Sequence, residues 1–96
     1  MEHSEAVEAY NALSFLLRDF EKNLEEGEDI LISGNGPNAR QFFVHTIQRV
    51  RNLIMLVGDD DDGQLHELIF AANQISIQIS SHRRDGPRKP IGFIAE

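Results

Sequence analysis

Apolar residues recur at three- and four-residue steps through the first quarter of the chain: Ala6, Ala9, Tyr10, Leu13, Leu16, Leu17, Phe20 and Leu24. Glu8, Asn11, Arg18, Glu21, Lys22 and Glu25 occupy the other faces. This is the period of a helix with one apolar stripe. Ser4 opens it, Glu5 and Glu8 suit the positive end of its dipole, and Gly27 is a C-terminal stop. The spacing predicts a first helix over 4–27. Phe15 falls outside the tightest stripe and widens the face toward a second contact surface.

Residues 28–38, EDILISGNGPN, combine a short apolar run with the turn residues Gly34, Asn35, Gly36 and Pro37. Asn38 can cap a second helix, 38–57, in which Phe42, Phe43, Val44, Ile47, Val50, Leu53, Ile54, Leu56 and Val57 cover more than half the circumference, with Gly58 ending it. Asp62 can cap a third, 62–82, carrying Leu65, Leu68, Ile69, Ala72, Ile75 and Ile79, and His82 continues that stripe. Within it, Ile75-Ser-Ile-Gln-Ile-Ser alternates with period two, which leaves a strand open there. The expectation is an all-α fold, a bundle of three amphipathic helices forming one domain over 1–82. Gly86, Pro87 and Pro90 make 83–96 an extended basic tail.

Charge changes this picture by its placement. The 96 residues carry a net −7. Residues 1–29 hold nine acids against Arg18 and Lys22, residues 30–58 hold Arg40, Arg49 and Arg51 with no acid, and 59–67 add five acids. The second basic region, Arg83, Arg84, Arg88 and Lys89, lies in the tail. An overall acidic chain without a concentrated basic surface argues against direct contact with nucleic acid or anionic lipid. Cysteine is absent, which removes disulfides and thiol chemistry and fits a reducing cytoplasm. Neither a secretory leader nor a membrane-spanning run is visible, so no membrane association is expected.

Candidate chemistry is sparse. Ile30 to Ser33 followed by Gly34-Asn-Gly36-Pro-Asn-Ala39 formally matches the glycine pattern of a dinucleotide fold, with Asp59 as the ribose-binding acid. In that alternative Gly34 and Gly36 let backbone amides approach a phosphate. Pro37, however, deletes an amide near where the phosphate would lie, and the chain has no room for a many-stranded parallel sheet. Asp59-Asp60-Asp61-Asp62-Gly63 suggests calcium, but an EF-hand register places Gly58 and Ile69 where acids are required. His3, His45, His66 and His82 are scattered without metal-binding spacing, and no serine sits in a nucleophile elbow. No cofactor, metal or catalytic group is expected, and an enzyme is not.

The remaining expectation is a small regulatory binding protein that sequesters or inhibits a protein partner through apolar helical surface, itself a homodimer. The candidate anchors are Phe15, Phe42 and Phe70 at the margins of the helix stripes, with Arg83 and Arg84 guiding orientation. Size, acidity and helical patterning, including the run Leu65-His-Glu-Leu-Ile-Phe-Ala-Ala, resemble the small bacterial anti-activators of quorum-sensing transcription factors. That resemblance implies a transcription factor as partner and assigns no residue a role. A secretion chaperone or an acidic nucleic-acid mimic shares the composition, although a mimic spreads its acids over one continuous face.

Overall fold

The computed structural model describes residues 4–86 and 89–95. His3, Pro87, Arg88 and Glu96 lie outside the described residues. Helix α1, Ser4–Lys22, forms where the apolar spacing predicts it and buries Ala6, Tyr10, Leu13, Ser14 and Leu17. It stops short of Gly27, where a φ of 84° turns the chain into the first strand.

The rest of the chain corrects the expectation of a helical bundle. Residues 38–57 are not one helix, and neither are 62–82. Among the described residues six strands follow α1: β1 (Glu28–Gly34), β2 (Gln41–Val50), β3 (Leu53–Asp59), β4 (Leu65–Ala71), β5 (Ile77–Arg83) and β6 (Gly92–Ala95), with a 3-10 turn at Ala72–Gln74 between β4 and β5. The turns explain why. Gly36 at φ 133°, Arg51 at φ 56° and Gly63 at φ 82° adopt left-handed conformations, which end a right-handed helix and reverse a strand. In the last of these loops the Asp60 carboxylate accepts from the amides of Asp62 (2.9 Å) and Gln64 (3.0 Å), an Asx arrangement that holds the chain in a hairpin.

Five strands lie in the order β4-β3-β2-β1-β5, with antiparallel neighbours, and the sheet curls into a half-barrel with α1 across its concave face. One irregularity shapes the whole. A bulge between Val44 and Thr46 bends β2. β2 pairs with β1 only at Gln41 to Phe43, then takes β6 in parallel along Thr46 to Arg49. The Ile30 amide, beyond the end of the β1–β2 pairing, donates to its neighbour Asp29 Oδ1 at 2.8 Å. Gly58 makes the bulge possible: it lies opposite Val44, and a Cβ there would meet the Phe43 carbonyl oxygen at 1.8 Å. A strand residue with any side chain cannot occupy that place without moving the backbone.

The core is the interface of α1 with the concave sheet: Tyr10, Leu13 and Leu17 against Ile30, Ile32, Phe42, Val44, Ile47, Ile54 and Leu56, closed at one end by Ile91. Apolar burial of this kind supplies the main driving force for the fold. The Ser14 hydroxyl is buried without a hydrogen-bond partner among the described residues, a desolvation cost that packing must outweigh.

Candidate protein-docking surface

Because strand side chains alternate between faces, β3 and β4 can each present apolar residues on both sides. Their inward set, Ile54, Leu56, Leu68 and Phe70, joins or packs against the core. The outward set is Leu53, Met55 and Val57 on β3 with Leu65 and Ile69 on β4, where Met55 faces Ile69. Leu65 is 82% exposed, Ile69 54% and Leu53 38%. β4 is also an outer strand of the sheet. An apolar sheet face at an open edge is unfavourable in water unless another surface covers it. Glu67, opposite Val57, stands between Leu65 and Ile69 on this face, and the Asp60 to Asp62 loop gives it an acidic margin.

The same convex face carries a polar centre nearer β1. Phe43 points outward yet is 2% exposed, because Arg84 lies over its ring at 4.2 Å and His82 meets its edge at 6.2 Å. The Arg84 guanidinium donates to Asp59 Oδ1 at 2.7 Å and stands 3.7 Å from Asp29 and 3.6 Å from Asp61. His45 Nε2 shares Asp59 Oδ1 at 2.8 Å. Burial raises the Asp59 pKa, but hydrogen bonds from Arg84 and then His45 outweigh it and hold the carboxyl below its ordinary value. Asp60 is likewise lowered, first by its hydrogen bond with His66 (2.8 Å), whose ring stacks on Phe42. An open hollow of about 1180 Å³ lies beside this network, lined by Gly27, Asp29, His45, Asp59, Arg84 and Gly92. Among the described residues no group of three or more His, Asp and Glu is placed to hold a metal. Arg84 and its acids therefore act as a clasp that ties the end of β5 to β1, β3 and the β3–β4 turn.

The predicted site residues scatter. Phe15 stands 69% exposed on the solvent side of α1. Phe42, expected as an exposed anchor, is 2% exposed in the core, because on a strand it alternates inward with Val44. Phe70 is partly buried against the same core. Arg83 and Arg84 are neighbours in sequence but lie on opposite faces of the sheet edge, and only Arg84 joins Asp59. Gly34 and Gly36 belong to the hairpin between β1 and β2, so no helix N-terminus follows them to receive a phosphate. Asp59 is engaged by Arg84 and His45. The run Leu65 to Ala71 is β4, not a helix turn sequence. Sequence reasoning missed Leu53, Leu65 and Ile69 as a set; the signal for them was Asp62-Gly63 between two apolar runs, a hairpin turn that pairs the strands on either side.

No family model matches the chain, and neither does any curated protein or solved structure. No helix among the described residues is long and apolar enough to cross a membrane.

Proposed function

We propose that this chain is a protein-interaction domain that docks a protein partner on the convex face of β3 and β4. The observation that carries the reading is the exposure of Ile69, 54%, opposite Met55 and diagonal to Leu53, with Leu65, 82% exposed, further along β4 on the same face, which nothing among the described residues covers. The acidic margin fits a partner whose apolar patch is flanked by basic residues, since complementary charge guides encounter and sets orientation. The net −7 supports a protein rather than a nucleic acid as partner. The cysteine-free composition suits a reducing compartment such as the cytoplasm.

Affinity capture from the native cell, repeated with Ile69→Lys and with Phe15→Ala, tests this. Ile69→Lys is expected to weaken the complex by about 2 kcal/mol or more, as loss of a central apolar contact does. Its thermal stability should change by no more than about 0.5 kcal/mol, because the site is exposed. Phe15→Ala, on α1, should capture as the unaltered chain does. Equal capture by Ile69→Lys, or recovery of nucleic acid alone, would overturn the proposal.

A further inference from the structure

The opposite edge of the sheet, β5, is built differently from β4. The Arg84 amide donates to the Gly27 carbonyl at 2.9 Å. With the register Asp29↔His82 and Leu31↔Ser80, antiparallel alternation turns the backbone groups of His82, Ser80 and Gln78 toward β1. The N–H and C=O groups of Ile77, Ile79, Ser81 and Arg83 consequently point away from the sheet. The side chains of these four residues lie on the concave side, with Ile32 and Ile30 opposite Ile79 and Ser81. There, an open groove of about 460 Å³ runs between β5 and α1, lined by Leu16, Asp19, Phe20, Glu28, Ile79 and Ser81. No proline or lysine blunts β5 as an edge.

The other flank of α1 shows how such a place is filled. There β6 adds to β2, Ile91 enters the core, and Phe93 packs under Arg18 at 4.0 Å. We infer that the flank beside β5 is filled by a second copy of this chain, the two β5 strands pairing antiparallel about a two-fold axis. The charges select this occupant. Arg83 is exposed and has no ion pair among the described residues; Glu28 is its own cross-strand neighbour, while beside Ile79 the groove carries Asp19. Pairing Ser81 with the second copy's Ser81 sets each Arg83 against the other copy's Ile79, at the mouth of that acidic groove. One strand thus supplies both the cation and the site that receives it, as an isologous interface requires. This surface is separate from the β3–β4 patch, so a dimer presents two such patches, and either proposal can fail alone.

Sedimentation velocity of the full chain between about 1 and 100 µM, a range over which a weak dimer shows mass action, is the test. The expected mass rises toward twice 10.9 kDa. Ser81→Pro removes an outward amide and should abolish the dimer. Arg83→Glu should raise the dissociation constant about tenfold or more by opposing the other copy's Asp19, and adding Asp19→Arg to it should restore association. Ile69→Lys should leave the dimer unchanged. A monomer at every concentration overturns the inference. So does a dimer indifferent to Arg83→Glu, a charge exchange that fails to restore pairing, or a dimer lost in Ile69→Lys. Far-UV circular dichroism of each variant identifies loss of fold, and the exposed Arg83→Glu substitution keeps the test decisive if Ser81→Pro does not fold.

Discussion

The two flanks of α1 face the same sheet and end differently. On one side β2 offers the edge from Thr46 to Arg49, and the chain's own β6 occupies it, with Ile91 6% exposed and its amide donating to Glu21 at 3.1 Å. On the other side β5 offers a longer, seven-residue edge with no strand beyond it among the described residues, and Leu16 above the groove is 57% exposed. A single local event creates the contrast. The bulge in β2 pushes β1 off its edge and opens a slot for β6, while β5 follows β1 through an unbroken register from Glu28 to Gly34 and remains outermost. A fold can therefore close one edge and expose another with the same secondary structure, according to where one extra residue is placed.

Removing the cause of the contrast should have the largest effect. Gly58→Ala puts a methyl into the Phe43 carbonyl at the bulge, and the expected loss of stability is about 3 kcal/mol or more, as for severe overpacking. Urea unfolding measures it, and a loss under about 1 kcal/mol would mean that the bulge relaxes freely.

Equivalent truncations on the two flanks should then diverge. Ile91→Ala, on the closed side, is expected to cost about 3 kcal/mol through the cavity it leaves, whereas Leu16→Ala in the monomer should stay within about 0.5 kcal/mol. Similar values for both would erase the distinction between a filled and an open flank.

The clasp at Arg84 sharpens the comparison at lower cost. Arg84→Ala uncovers Phe43 and releases Asp59, with an expected loss of about 1–2 kcal/mol near neutral pH. The acid dependence has a definite sign. Asp59 and Asp60 have folded pKa values below 3.8, so the unfolded chain binds protons first. Their contribution is present above about pH 3.8 and drains away as pH falls through the folded values. In Arg84→Ala the largest hydrogen bond lowering Asp59 is gone, and the acid limb of a stability–pH curve should move to higher pH. An unmoved limb would show that Asp59 owes its low value to other groups.

How much of this was legible in the sequence follows from the same bulge. The period of α1 was clear because one helix face meets one sheet. In β2 the inward residues Phe42 and Val44 are two apart, but the bulge makes the next inward residue Ile47, a step of three that imitates a helix. β3 deepened the error: with Ile54 and Leu56 inward and Met55 and Val57 outward, its apolar residues run continuously and fill a helical wheel. The counter-signals were local. Asn35-Gly36 and Asp62-Gly63 each stand between apolar runs, the strongest short-range mark of a hairpin, and the alternation of Ile75, Ile77 and Ile79 was already that of a strand. The exposed apolar patch was hidden because helical spacing assigns Leu65 and Leu68 to one face, whereas a strand sends Leu65 and Ile69 out and Leu68 in. No sequence pattern pairs Arg84 with acids at 29, 59 and 61, since those contacts depend on strand order.

Residue-resolved hydrogen exchange of β5 tests most directly the claim that one flank of α1 is closed by the chain itself and the other left open for another chain. In dilute solution the outward amides of Ile79 and Ser81 are predicted to exchange rapidly while those of Ser80 and His82, turned toward β1, exchange slowly; raising the concentration should protect Ile79 and Ser81 as well. Protection of Ile79 and Ser81 equal to that of Ser80 at the lowest concentration would contradict the account, because it would mean that the chain already covers this edge by itself.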